Sequence, residues 1–355
     1  MAAQQQAERI GVRKRFELWG RRILMRVLGA LLGRRREAIA ALDAPKVLVI
    51  RLDERVGNVV MLTPVLRTLR ARFPDGHIHV LGNVRGEALL GGHPDVDRFI
   101  GFRKRAIFAA DGPLRIISRL RREKYSVAID ASNPTDPSLT QAILASLSGA
   151  RFTVGSDARG FGHFFSQSVA VSPAHEIDLR LQLLDALPGD TKIRAPFLPA
   201  LPEPKERPAD DYLVLNLGAR LPEKRLSADE YAQLADGLLP YGALLLTWGP
   251  AERSLSHEVA LLVPSAKLAP PTNLRELAAI MAHARAVVTC DTGPMHLSVA
   301  LGTPTLSIFL TTDPERFGYC GAPNALLDAR TERSTLKVGV ERWLSTLSES
   351  GGLDR

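Results

Sequence analysis

The sequence predicts an α/β protein made of two doubly wound parallel-sheet domains. Three observations predict it. Strand and helix patterns alternate from Lys46 to Ser156, a proline-rich stretch at 193–211 interrupts them, and the alternation restarts at Tyr212. The length of 355 residues agrees, because one core rarely serves a chain that long. A hydrophobic share of 45% and a mean hydropathy near zero fit a globular chain that folds in water.

The elements follow in order. KVLVIRL (46–52) is an apolar run of strand length, and VVMLTPVLRTLRARFP (59–74) reads as a helix that tolerates Pro64 near its start. HIHVLGN (77–83) is the next strand, and GEALLGGHPDVDRFIGF (86–102) gives a short helix, a turn and a strand. PLRIISRLRREKY (113–125) is a helix, SVAIDAS (126–132) a strand, SLTQAILASLSG (138–149) a helix and RFTVGS (151–156) a strand. After the helical EIDLRLQLLDALPG (176–189) comes the linker, rich in proline and without periodicity.

Beyond it lie the strand YLVLNLG (212–218), the helix SADEYAQLADGLL (227–239), the strand GALLLTWGP (242–250) and the helices AERSLSHEVALLV (251–263) and NLRELAAIMAHA (273–284). AVVTCDTG (286–293), PMHLSVALG (294–302) and PTLSIFL (304–310) complete the second unit. The expected organisation is a basic segment 1–44, a first domain 45–192, the linker 193–211, a second domain 212–330, and a helix and tail 331–355. The last helical pattern, 335–348, has the length and position to cross back onto the first domain. Two domains around a linker make a cleft, the usual place for a substrate.

Charge is unevenly placed. Residues 1–40 hold ten Arg or Lys against three Glu, so that segment carries most of the net charge of +8. A nearly neutral body excludes a general nucleic-acid binder. At helical spacing Phe16, Trp19, Ile23, Leu24, Val27, Leu28 and Leu31 share one side, and Lys14, Arg15, Arg21, Arg22 and Arg26 the other. No uncharged run approaches the roughly 18 residues of a spanning helix. Arginines interrupt the apolar stretch, which makes a signal peptide a poor match. The segment is expected to lie in the plane of an anionic membrane; the plainer alternative is a helix packed on the body. Cys290 and Cys320 make neither a disulfide framework nor a metal cluster, and read as small core residues.

Two loops carry the chemistry. In TCDTGPMHLSVALG a strand ends near Asp291, a Thr-Gly turn follows and a helix begins near Pro294. Free amides at a helix N-terminus favour a phosphate, and Gly293 lets the backbone approach it. Thr292 adds a hydroxyl, and His296 lies in the first turn. The alternative is a capped turn with His296 packed inside. The other loop follows the first strand and gathers Asp53, Glu54, Arg55, Gly57 and Asn58.

Together, DTGPMHLSVALGTPTLSIF and VLVIRLDERVGNVVMLTPVLRTLRARFP resemble the two signature regions of glycosyltransferase family 9, the heptosyltransferases of lipopolysaccharide core synthesis. LLGGHPDVDRFIGF, HEIDLRLQLLDALPG, LNLGARLPEKRLSADEYAQLA and LTWGPAERSL fall between them in the family's order, so the resemblance spans most of 46–321. It implies a GT-B fold of two Rossmann-like domains facing a cleft, acceptor on the first and nucleotide sugar on the second. It also implies an inverting transfer that needs no metal and no cofactor, with heptose from ADP-heptose as the expected cargo. The implied partners are a nucleotide-sugar donor, a lipid-linked oligosaccharide acceptor and, through residues 1–40, an anionic membrane surface. The implied location is peripheral, on the cytoplasmic face of the bacterial inner membrane.

Carried over residue by residue, the donor-phosphate contacts fall on Thr292, Gly293 and His296, with Asp291 near the heptose. The family's lysine after the strand-end glycine falls on Lys224, following Gly218, with Arg225 beside it. An ammonium there would stabilise the charge that develops on the leaving diphosphate. Glu252 matches the acidic residue at the nucleoside ribose, though a glutamate in a first helical turn also stabilises its own helix. The first loop departs from the pattern. Arg51 to Gly57 is one residue longer than usual, and Asn58 replaces the aspartate proposed as base. An amide cannot take a proton from an acceptor hydroxyl. Asp53 is the expected base, ahead of Glu54, and the alternatives are a salt bridge from Asp53 to Arg51 or Arg55 and a catalytically impaired relative that only binds a nucleotide sugar. His175, Glu176 and Asp178, and the basic positions Arg103, Lys104, Arg105, Arg115, Arg119, Arg121, Arg122 and Lys124, are weaker candidates for sugar and acceptor contacts.

Overall fold

The structure is a computed structural model that describes residues 27–29, 31–33, 37–104, 109, 111–199, 201–204, 209 and 211–353. It divides into two compact units. The first holds the described residues up to Asp53 together with Val65–Glu87 and Asp95–Ile193. The second holds Glu54–Pro64, Ala88–Pro94 and the described residues from Arg194 onward.

Chain order in the first half is β1 (Lys46–Arg51), α1 (Val56–Val60), α2 (Thr63–Arg72), β2 (His77–Gly82), α3 (Val84–Leu90), β3 (Arg98–Gly101), α4 (Pro113–Arg122), β4 (Val127–Asp130), α5 (Leu139–Leu147), β5 (Phe152–Ser156), β6 (Gln167–Val169) and α6 (Glu176–Gln182). All pairings in its sheet are parallel, in the order β3-β2-β1-β4-β5-β6. Central strands covered on both faces need apolar side chains on both faces, which is why β1 and β4 read as unbroken apolar runs.

One expected helix at 59–74 is two. Pro64 cannot donate to the carbonyl of Val60 and its ring would collide with it, so α1 stops and α2 starts afresh. The Thr63 hydroxyl donates to that carbonyl instead, at 2.8 Å.

The second half runs β7 (Tyr212–Asn216), α7 (Ala228–Leu238), β8 (Ala243–Thr247), α8 (Arg253–Leu262), β9 (Lys267–Leu268), α9 (Leu274–Ala282), β10 (Ala286–Cys290), α10 (Gly293–Ala300), β11 (Thr305–Phe309), α11 (Pro314–Phe317), β12 (Ala325–Asp328) and α12 (Leu336–Glu349). Read from β9, its parallel sheet has the order β9-β8-β7-β10-β11-β12, the same winding as the first. Capping boxes at Ser227 with Glu230 and Asn273 with Glu276 start α7 and α9.

Two expectations change. The C-terminal helix α12 does not join the first unit's core. Leu336, Val340, Trp343, Leu344 and Leu347 form one stripe, and it is buried with Tyr231, Leu234 and Leu238 of α7 in the second core. The cysteines also differ. Cys290 is a core residue as expected, whereas Cys320 is exposed.

Most of the amphipathic segment, through Arg26, lies outside the described residues. Of the rest, Leu28 and Leu32 pack against the first core, and Gly29 and Gly33 lie against His163, where a Cβ on either would collide.

Candidate functional site

Doubly wound sheets bind ligands beyond the carboxyl ends of their strands, where the winding reverses. In the second sheet that point lies between β7 and β10. Asn216, the last residue of β7, holds it together. Its amide donates to Thr289 Oγ1 (3.0 Å) and to the Gly218 carbonyl (3.1 Å), and accepts from Thr247 Oγ1 (3.2 Å). A Cβ at Gly218 would make only ordinary contacts, so packing does not demand the glycine.

Asp291 follows β10 and is 5% exposed. Lys224, on a 3-10 turn (Pro222–Lys224), donates to its Oδ2 at 2.7 Å and to its backbone carbonyl at 3.2 Å. The Thr312 hydroxyl also donates to Oδ2. The neighbouring cation is paired as well, Arg225 Nη2 lying 2.5 Å from Glu252 Oε1. The other carboxylate oxygen of Glu252 accepts from the Gly249 amide at 3.1 Å. Lys224 and Arg225 are therefore not a solvated pair. Each is matched to a buried carboxylate, and the four charges cancel. An incoming diphosphate would find two cations already in place, with a carboxylate that can release each.

Thr292 is the N-cap residue of α10, but its hydroxyl donates to the Cys290 carbonyl at 3.2 Å and does not cap the helix amides. The expected extra donor to phosphate is thus engaged on the Cys290 carbonyl. Gly293 and His296 face α1. A Cβ on Gly293 would lie 3.0 Å from Val56 Cβ, and one on Gly57 would lie 2.4 Å from His296 Cδ2. The two glycines let α1 lie against α10. His296 is 4% exposed, and its Nδ1 is 2.8 Å from the Tyr319 hydroxyl. With the Tyr319 hydroxyl as donor to Nδ1, a neutral ring carries its proton on Nε2.

The first sheet has a second polar cluster at its own reversal point, between β1 and β4. The backbone around Asp53 is clamped, with Asn83 Nδ2 donating to the carbonyls of Leu52 (3.2 Å) and Asp53 (2.8 Å) and the Leu52 amide donating to Gln141 Oε1 (3.2 Å). Arg51 is 3% exposed and donates from Nη1 to the Ala131 carbonyl, while its Nη2 lies 3.5 Å from Asp53 Oδ2. The expected alternative of an Arg51–Asp53 salt bridge is therefore present, at the long end of the range.

Glu54 is exposed and Asn58 half-buried. Asp130, which the sequence reading passed over, is 2% exposed at the end of β4. Its Oδ1 accepts from the Ser132 amide at 2.9 Å, and its Oδ2 is buried with no partner. Burial pushes its carboxyl up to about 6, against the Ser132 hydrogen bonds and the Arg51 charge, which pull it down.

Three of the weaker candidates have partners within the fold, and Arg105 lies outside the described residues. The His175 ring caps α6 by accepting from the Ile177 amide at 3.2 Å, and Glu176 is buried against Arg180 at 2.7 Å. Arg103 is paired with Asp111 at 2.5 Å. Tyr319, Thr312 and Asn216 were missed for want of a local signal, since Tyr319 and Thr312 reach their partners from 23 and 21 residues away.

Comparison with known proteins gives the family. The family model described as glycosyltransferase family 9 (heptosyltransferase) matches residues 114–337, more than half of the chain. A lipopolysaccharide heptosyltransferase 3 of Escherichia coli is 26% identical over 280 residues, 72% of this chain and 81% of that protein. A lipopolysaccharide heptosyltransferase 1 of Campylobacter coli is 22% identical over 312 residues, 80% of this chain and 89% of that protein.

Among solved structures, a family 9 glycosyl transferase from Veillonella parvula superposes with a TM-score of 0.72 at 22% identity, covering 89% of this chain and 100% of that one. The E. coli heptosyltransferase WaaC with ADP gives 0.69 at 20% identity, covering 85% and 99%. These likenesses give the fold, GT-B, with its two α/β units. On the family match, the chain belongs to glycosyltransferase family 9, the heptosyltransferases.

Proposed function

We propose that this glycosyltransferase moves heptose from ADP-heptose onto a lipopolysaccharide core or related glycolipid, with inversion and without a metal. The observation that carries the reading is the Lys224–Asp291 pair at the N-terminus of α10, beside the β7–β10 reversal. The donor diphosphate would take the α10 amides and the Lys224 ammonium, and His296 Nε2 would add a hydrogen bond. The acceptor hydroxyl attacks the anomeric carbon from the side opposite the leaving group. As the new C–O bond forms, the bond to the diphosphate oxygen breaks, the hydroxyl proton passes to the Asp53 carboxylate and ADP leaves. Lys224 offsets the charge gathering on the diphosphate. Gly57, Gly218, Arg225, Glu252 and Thr292 shape the donor seat, while Glu54, exposed and beside the loop, is the lesser candidate for the base.

The membrane contact is assigned to residues 1–40, whose basic charge suits the anionic cytoplasmic leaflet. Among the described residues no helix is long and apolar enough to cross a membrane. Asn58 favours a second reading, a relative that binds the nucleotide sugar without turnover, because an amide stands where the family places a carboxylate.

The test is ADP release from ADP-heptose with core oligosaccharide acceptors. Asp53→Asn should lose roughly 10²–10⁴ in rate and keep ADP affinity. Lys224→Met should weaken both. Tight ADP-heptose binding with no release on any core acceptor selects the second reading, and full transfer by both Asp53→Asn and Glu54→Gln places the base elsewhere.

A further inference from the structure

We propose that Thr312 is a positioning residue for the donor seat: its hydroxyl holds the Asp291 carboxylate while Lys224 moves from that carboxylate to the donor diphosphate. The inference rests on the reading of Lys224 as a diphosphate ligand. Both donors meet one atom. Lys224 Nζ lies 2.7 Å from Asp291 Oδ2, and the Thr312 hydroxyl donates to the same oxygen. Among the described residues the carboxylate takes no other hydrogen bond. Lys224 alone would suffice to neutralise it in the empty seat. The second donor matters once the ammonium is drawn to a ligand.

The two donors differ in freedom. Lys224 ends a short 3-10 turn and its side chain is 21% exposed, so its flexible four-carbon stem can swing the ammonium toward a phosphate. Thr312 is β-branched and stiff at χ1. The strands bring it to Asp291. β10 and β11 run parallel with Cys290 opposite Ile308, and the Asp291 amide donates to the Ile308 carbonyl at 2.9 Å, so the segments after both strands leave the sheet side by side. The next residue, Asp313, caps α11 by accepting from the Glu315 amide at 3.1 Å, which fixes the backbone at Thr312. Asp291 is buried, and a buried carboxylate stripped of its cation and of every donor is costly. Arg225 is held by Glu252 at 2.5 Å and does not replace the lysine. A hydroxyl that stays on Oδ2 lowers the cost of releasing Lys224, and so favours the diphosphate-bound state.

The experiment is calorimetric titration of the full chain with ADP. Thr312→Val keeps the shape of the side chain and removes the donor. It should weaken ADP binding about fivefold, the part of a hydrogen bond to a charged group that is gained only when Lys224 leaves. Thr312→Ser restores the donor and should bind ADP as the unaltered chain does. In an Asp291→Asn background there is no carboxylate charge to hold, and Thr312→Val should cost nothing further. Unchanged ADP affinity in Thr312→Val overturns the proposal. So does a Thr312→Ser chain as weak as Thr312→Val, or an undiminished loss in the Asp291→Asn background, since either marks a role in packing alone. If Thr312→Val does not fold, Thr312→Ala serves in the same comparisons. The diphosphate reading is judged separately by Lys224→Met. Unchanged ADP affinity there defeats that reading and the proposal with it, whereas a weakened Lys224→Met beside an unaffected Thr312→Val defeats the role of Thr312 alone.

Discussion

Gly57→Ala is the sharpest probe of the seat formed by α1 and α10. An ideal Cβ there lies 2.4 Å from His296 Cδ2, 3.1 Å from Nε2 and 3.3 Å from Cγ. Carbon atoms rest at about 3.5–4.0 Å, so the ring or α1 must give by roughly 1 Å. The ring is 4% exposed and tied to Tyr319 at 2.8 Å, which leaves it little room to turn. Overpacking costs about 1–3 kcal/mol, and losing the Tyr319 hydrogen bond about 1 kcal/mol more. The sum, about 2–4 kcal/mol, should lower the unfolding midpoint by roughly 5–10 °C for a domain of this size. ADP affinity should fall too, since His296 is displaced from the helix N-terminus.

His296→Ala removes the obstructing ring. In that background Gly57→Ala should cost almost nothing, and the double-mutant cycle should return a coupling close to the whole single-mutant loss. Thermal unfolding and calorimetric titration with ADP read both effects. Additive losses would refute the steric argument, and so would a Gly57→Ala protein of unchanged midpoint.

Two further outcomes follow from the same geometry. Tyr319→Phe removes the hydroxyl from His296 Nδ1 and should weaken ADP binding about fivefold, a loss of about 1 kcal/mol; titration giving wild-type affinity would mean the ring is oriented without it. Deleting residues 1–26 should abolish co-sedimentation with anionic vesicles, and high salt should mimic the deletion. The cut belongs before Val27, since Leu28 and Leu32 pack against the first core and a longer deletion would uncover it. Continued sedimentation of the shortened chain would place the contact elsewhere.

The fold was legible where physics leaves a local mark. Central parallel strands are apolar on both faces, so β1, β4, β7, β10 and β11 announce themselves in the sequence. The strands it does not announce are β6, β9 and β12. β6, β9 and β12 are sheet edges of three, two and four residues, partly exposed and bearing Gln167, Lys267 and Asp328. The site divides in the same way. Lys224, Asp291, Gly293 and His296 lie in glycine-marked turns after strands, and the structure brings Lys224 onto Asp291. Tyr319 and Asp130 leave no such mark, because their importance is a burial or a partner supplied by distant sequence. The sequence leaves the path of α12 open because an amphipathic stripe says that a face will be covered, not by which core.

The exchange of aspartate for Asn58 looks like a loss of the base until the two positions are compared physically. Asn58 belongs to α1, and its amide donates to the Arg55 carbonyl at 3.0 Å. That helix is seated on α10 through Gly57 and Gly293, so position 58 is fixed by packing. Asp53 stands outside any helix, yet Asn83 grips its carbonyl, Gln141 grips the preceding amide and Arg51 approaches its carboxylate. A base is useful only if its carboxylate is both held in place and left basic. The clamped backbone supplies the first condition at position 53. Restoring the family residue alone therefore makes a demanding test. In an Asp53→Asn background, Asn58→Asp should leave transfer depressed if the longer loop has moved the reacting position to residue 53, whereas recovery would show that position 58 still faces the acceptor hydroxyl and that Asp53 does not act as the base.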